Sequence, residues 1–292
     1  MNERRALQVF FQDPPGAPAS VVRAREFAAD LALRLAAEAL EALSDRGIAA
    51  APLKGAVLLR RWPELRGHRD LADVDLLVEP ERFPSAVDAL RGLGFQPTSY
   101  TFRGATLARK DWPLSIDLHH RLFGPHLFDM PTLDVMRRAQ RDDEFFAGLS
   151  MRVCDEDLFA HVVGHAVKSR MRLDDPHAVD DIRWLLGVLP IRPEAYAQHL
   201  RRLGMRRAAG CVLAAPAYSR QPLASEIVDR LALTADDRAA IRMARVRPTA
   251  YWTPHLLNSR PTEGIRSFRA QVREDLGWRM RRWSSLLGRS VK

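Results

Sequence analysis

The chain reads as an α+β protein: a mixed sheet flanked by helices, followed by a C-terminal helical domain. Three observations predict this. Strand-like apolar runs are confined to residues 50–120, where they alternate with helical segments. Turn residues punctuate that region at short intervals. From about residue 129 the pattern becomes helical almost throughout, broken by prolines near 190, 216, 222 and 248–261.

The elements follow in order. Residues 1–19 read as a flexible N-terminal segment, and residues 20–128 as the α+β domain. "SVVRAREFAADLALRLAAEALEALSDRG" (20–47) carries Ala and Leu at helical spacing and stops at Gly47. "IAAAPLKG" predicts a short strand entering a turn at Lys54-Gly55, and "AVLLRRW" a helix halted near Pro63. "DVDLLV" (73–78) is a strand; "ERFPSAVDALRGLG" is a helix with Gly94 just past its end. Residues 95–103, 105–110 and 113–120 read as three further strands, bounded by Gly104 and Trp112-Pro113. In the helical domain, 129–292, the clearest helices are "DEDLFAHVVGHAVKSRM", "AVDDIRWLLGVL" and "EGIRSFRAQVREDLGWRMRRW".

Composition narrows the function classes. A hydrophobic share of 47% in 292 residues provides a real core, and no apolar run reaches the length of a membrane span. The N-terminus lacks a signal-peptide pattern, and Cys154 and Cys211 are far apart, so the expectation is a cytoplasmic protein with two reduced thiols. The net charge of +9 favours an anionic partner, although the arginines are spread along the whole chain. The basic C-terminus "GWRMRRWSSLLGRSVK", with Trp278 and Trp283, reads as a solvated helix face with buried Trp.

The strand "DVDLLV" raises a question of charge. Residues two apart on a strand share a face, so Asp73 and Asp75 stand side by side while Val74, Leu76 and Val78 point to the core. Two neighbouring carboxylates repel, and a divalent cation is the natural partner. In "PLSIDLHHRL" the same alternation sends Asp117 and His119 away from the core. If that strand neighbours the first, Asp117 completes a triad with Asp73 and Asp75. Three carboxylates around Mg²⁺ or Mn²⁺ suit phosphoryl or nucleotidyl transfer. Upstream, Gly55 permits close backbone approach, the following helix N-terminus favours anions, and Lys54 can neutralise a phosphate. His161 and His165 have metal-ligand spacing on a helix, but Val162 follows the first, so the zinc-protease pattern is absent. Asp180 and Asp181 read as charges at a helix start.

Taken together, "PLKGAVLL", "HRDLADVDLLV", "LRGLGFQP" and "SIDLHHRL" resemble the uncharacterised nucleotidyltransferase family of the polymerase-β-like superfamily. Lys54, Gly55, Arg69, Asp73, Asp75, Asp117 and His119 match that pattern position by position. Lys54 replaces the first of the two small residues usual in the wider superfamily's turn, and the gap to Asp73 is long. The resemblance implies a nucleotidyltransferase-type sheet, with Asp73, Asp75 and Asp117 as catalytic metal ligands. It also implies nucleotide contacts from Lys54, Gly55, Arg69 and His119, and from His165 and Lys168, which resemble the family's cleft-facing helix. Arg69 either touches nucleotide or neutralises the acids; His119 either supports Asp117 or is a half-buried strand residue.

The expected activity is Mg²⁺- or Mn²⁺-dependent transfer of NMP, AMP favoured, from an NTP to an acceptor, with a small molecule or peptide favoured. Nucleic acid stays open as an acceptor, as in tRNA- or protein-modifying relatives, though no RNA-binding motif with stacking aromatics is visible. The competing classes are a non-catalytic nucleotide-binding module and a two-metal nuclease or phosphohydrolase. Retention of all three acids argues against the first. The Lys-Gly turn and the missing His-Asp dipeptide argue against the second.

Overall fold

In the computed structural model the described residues are 18–69, 71, 73–110, 112–168, 176–218, 221–246 and 252–273. The expected N-terminal segment, apart from its last two residues, and the basic Trp-containing C-terminus lie outside them.

The long first helix, α1 (Ala19–Ser44), buries Ala32, Leu35, Ala36, Ala39, Leu40 and Leu43, the stripe that its Ala/Leu spacing dictates. It ends because Gly47 takes a positive φ of 63° and Ile48 N–H turns back to the Leu43 carbonyl. Strand β1 (Ala50–Pro52) then leads directly into α2 (Lys54–Arg61). Strand β2 (Asp73–Val78) is followed by α3 (Phe83–Gly92), which closes at Gly94 with φ 88°. Strands β3 (Gln96–Thr101), β4 (Gly104–Ala108) and β5 (Ser115–His119) complete the sheet. Each expected strand is present: β2 has its expected bounds, β3 and β5 are shorter by one to two residues at their ends, and β4 starts at Gly104 and ends at Ala108.

The sheet order is β1-β2-β5-β4-β3, with β2 and β5 parallel and the other pairs antiparallel. It is the expected mixed sheet flanked by helices. The parallel pair is central, so both of its faces are covered; Val74, Leu76, Leu77 and Val78 are all fully buried. Helix α1 packs against α2, α3, β1 and β2. Gly104 opens β4 because a Cβ there would strike the Leu118 carbonyl of β5.

Beyond the sheet lie α4 (Thr132–Arg138), a small antiparallel pair β6 (Gln140–Arg141) and β7 (Met151–Arg152), α5 (Asp155–Lys168) and α6 (Pro176–Val188). The β6–β7 pair departs from the helical reading of this region. Two residues per strand are too few to give a period-2 signal in the sequence. Helices α7 (Pro193–Arg202), α8 (Arg206–Leu213), α9 (Pro222–Arg230), α10 (Ala235–Val246) and α11 (Thr253–Leu256) follow, and residues 261–273 are again helical.

Contacts divide the described residues into two compact units. One comprises those of Met1–Leu122, Met130–His165 and Leu173–Ile191; the other comprises those of Phe123–Asp129, Ala166–Arg172 and Arg192–Lys292. This division runs differently from the 20–128 and 129–292 reading, because α4, most of α5, and α6 cluster with the sheet. Arg61 Nη1 donates to Asp155 Oδ1 at 2.6 Å, and Trp62 meets Trp184 edge to face at 6.3 Å, tying α2 to α5 and α6. In the second unit α9 packs on α7 and α8, and α10 on α8. There the buried Asn258 amide donates to the carbonyls of His126 and Leu127 at 2.8 and 2.7 Å. Both cysteines are unbridged, and no described helix is long and apolar enough to cross a membrane.

Candidate functional site

The parallel register of β2 and β5 sets Asp73 opposite Ser115, Asp75 opposite Asp117, and Leu77 opposite His119. One face of these strands therefore presents Asp73, Asp75, Asp117 and His119 together. Among the described residues, Asp75, Asp117 and His119 have donor atoms that all lie within 4.8 Å of one another. Asp73 is on the same face, outside that tight set.

Asp75 is only 4% exposed, and two donors converge on one of its oxygens. Lys54 Nζ lies 2.6 Å from Oδ1, and His119 Nε2 lies 2.8 Å from the same atom. The imidazole thus reaches diagonally across the strand pair to Asp75, whereas the sequence left it either supporting Asp117 or as a half-buried strand residue. Burial alone would raise the Asp75 carboxyl, but Lys54 and the His119 hydrogen bond hold it far below the carboxylate range. Asp73 goes the other way. Its partial burial and the neighbouring Asp75 charge raise it, and Lys54 and Arg69 do not compensate fully.

Lys54 begins α2 with φ 44°, a left-handed conformation disfavoured for a residue with a side chain. Gly55 follows, and the reason only glycine fits is visible. A Cβ there would run into the Arg69 guanidinium. That guanidinium cannot yield, because Nε and Nη2 grip Asp181 of α6 at 2.7 and 3.0 Å in a bidentate pair. Burial would lower the Arg69 pKa; Asp181 above all, with Asp75 and Asp73 adding, raises it. Sequence reasoning placed Asp181 at a helix start and missed this bond. Both Asp180 and Asp181 were expected at a helix start, but the helix begins at Pro176 and Asp181 lies within it, bonded to Arg69.

Helix α5 brings two imidazoles toward the same cluster. The His161 and His165 rings meet edge to face at 6.4 Å. Burial first, then the Lys54 charge, depresses both; His165 is lowered to about 3, so each is a neutral imidazole. His161 was the less regarded of the pair from sequence, yet it is the more deeply buried. Lys168, at the end of the helix, falls in the second unit.

The donor set suits a divalent cation. The carboxylate oxygens are ligands suited to Mg²⁺ or Mn²⁺, and His119 orients one of them by its bond to Asp75. The buried Nδ1 of His119 has no hydrogen-bond partner, and Asp73 is raised first by burial and then by the charge of Asp75.

A comparison with curated proteins finds no match. Two solved structures are similar over part of the chain. One is the antibiotic-resistance factor ANT(2'')-Ia in solution, 14% identical, covering 53% of this chain and 82% of that one with a TM-score of 0.40. The other is crystalline ANT(2'')-Ia in complex with adenylyl-2''-tobramycin, 14% identical, covering 57% and 93% with a TM-score of 0.44. The family model described as "Uncharacterised nucleotidyltransferase" matches residues 18–217, a span that contains Lys54, Gly55, Arg69, Asp73, Asp75, Asp117, His119, His165 and Lys168. The chain belongs to this nucleotidyltransferase family.

Proposed function

We propose that the protein transfers NMP, with ATP the favoured donor, to a small molecule or peptide in the cytoplasm, using Mg²⁺ or Mn²⁺. The observation that carries this reading is the convergence of Asp75, Asp117 and His119 beside Asp73, with Lys54 as the cation bonded into the cluster. Asp73, Asp75 and Asp117 would hold the metal, which when bound neutralises charge on the phosphates and on the departing pyrophosphate.

The chain's own residues supply the rest. The N-terminus of α2 at Gly55 offers backbone N–H groups and a positive dipole end to a phosphate. Lys54 adds a mobile positive charge. Asp117 accepts the proton of the acceptor hydroxyl as that oxygen bonds to the α-phosphorus and the bond to the β-phosphate oxygen breaks. The neutral imidazole of His165 can contact the nucleotide by hydrogen bond without adding charge, and Lys168 is proposed to meet the phosphates. Arg69, committed to Asp181, acts by bracing the turn at Gly55 and lending its charge to the acid pair at a distance.

Incubation with α-labelled ATP, Mg²⁺ and fractionated cell extract tests the proposal. Label should move to a small species with release of pyrophosphate. Asp117→Asn should lower transfer at least about a hundredfold while leaving NTP affinity within a few-fold. Nucleotide binding with no pyrophosphate released in any fraction would favour a non-catalytic module; label appearing in RNA or protein would replace the small-molecule acceptor.

A further inference from the structure

Lys54 occupies an unusual position for a residue read as a phosphate contact. Leu53 N–H bonds the Asp75 carbonyl at 3.0 Å, so residue 54 starts beside residue 75. From there the left-handed backbone at φ 44° leads into a side chain only 17% exposed. Its ammonium is bonded to Asp75 Oδ1 at 2.6 Å. That is the carboxylate shared by the donor set of Asp75, Asp117 and His119. An ammonium and a divalent cation cannot share one carboxylate oxygen at such range without strong mutual repulsion.

We propose that Lys54 is a built-in counter-ion that holds the cation position in the nucleotide-free protein, and that metal–nucleotide binding moves its ammonium from Asp75 onto the phosphates. The inference rests on the metal reading of the site given above. Lysine suits the task because its ammonium is a point charge on a flexible four-carbon stem, able to change partners by rotamer alone. Metal alone ejects the ammonium from Asp75 without supplying a new anion to receive it. Metal with nucleotide ejects it toward phosphate oxygens. Lys54 therefore makes each ligand bind more tightly in the presence of the other, a coupling that must be reciprocal.

The test is a Mn²⁺ titration of the full chain, read by the paramagnetic resonance signal of free Mn²⁺, with and without a non-hydrolysable ATP analogue. Two variants remove the ammonium: Lys54→Met, and Lys54→Gly, which suits the positive φ and guards against misfolding. Without nucleotide, both should bind Mn²⁺ about tenfold or more tightly than the unaltered protein, the scale of one charge-assisted contact removed. With the analogue present, both should bind nucleotide more weakly, and the mutual enhancement should collapse. Mn²⁺ affinity unchanged or weakened in both variants would overturn the counter-ion role while leaving the metal site standing. If the unaltered protein binds no Mn²⁺ even with the analogue, the metal reading itself fails.

Discussion

Asp75 and Asp237 are both buried aspartates, and their surroundings differ in kind. Asp237, in the second unit, is fully buried and saturated: Arg207 Nε donates to Oδ1 at 2.7 Å, Arg206 Nη2 lies 2.8 Å from Oδ2, and Thr234 N–H donates to Oδ2 at 2.9 Å. Its own N–H returns a bond to Thr234 Oγ1 at 3.2 Å, closing a capping box at the start of α10. Two guanidinium groups thus answer one carboxylate. Burial would raise this acid, and the Arg207 and Thr234 bonds outweigh it, so it is held low. Around Asp75 the count is reversed. Three acids share one face of the strand pair; Lys54 and His119 both serve a single oxygen of one of them, and Arg69, gripping Asp181, acts on Asp73 and Asp75 only by its charge. A structural carboxylate is balanced by the chain itself. Among the described residues the acid cluster in the sheet is matched less fully, and under the proposed function a ligand cation would make up the difference.

That contrast can be broken most severely at Asp237. Replacing it with Asn deprives the half-buried Arg206 and Arg207 guanidinium groups of their shared carboxylate and should cost about 1.5–3 kcal/mol in urea unfolding. The loss should be the same with and without Mg²⁺. A loss that Mg²⁺ repaired would erase the distinction between the two aspartates.

A subtler difference concerns proton uptake near the acid cluster. His165 is depressed to about 3 by burial and then by Lys54, with Asp75 opposing and Arg103 and His119 adding. The folded state therefore stays unprotonated while the unfolded chain binds a proton below its ordinary value of 6.5. Stability contributed by the neutral ring is intact above pH 6.5 and is lost progressively as pH falls toward about 3. His165→Gln should flatten the stability profile between pH 6.5 and 5, measured by urea unfolding at each pH, relative to the unaltered protein. A parallel profile in the variant would mean the ring titrates normally.

What the sequence disclosed and what it concealed follow one division. Alternation along "DVDLLV" and "SIDLHH" was enough to put the acids on one face, because side-chain direction in a strand is local. The parallel neighbourhood of β2 and β5, with Asp75 opposite Asp117, was legible only as a condition. The pairing of Arg69 with Asp181, 112 positions away, left no periodic trace. Nor did the choice of Asp75 over Asp117 by His119, since register decides which diagonal an imidazole can reach. Gly55 was read as a point of close approach for a phosphate, and the group that packs against it is a guanidinium of the chain itself. Lys54 was assigned to phosphate on its charge, and its bond to Asp75 arises from a backbone conformation that its residue type does not announce.

The smallest expected change in stability gives the sharpest test of the central claim, that these acids carry more negative charge than the fold can use. Asp73 is raised by its burial and by Asp75, so the folded protein gains little from its ionised form. Asp73→Asn and the unaltered protein should be unfolded by urea at neutral pH, each in EDTA and in Mg²⁺ with a non-hydrolysable ATP analogue. In EDTA the variant should match or exceed the unaltered protein, within about 1 kcal/mol. With ligands at about a hundred times their dissociation constant, the unaltered protein should gain about 2.7 kcal/mol and the variant far less. A variant that is destabilised in EDTA as severely as Asp237→Asn, or that keeps the full ligand gain, would contradict the account.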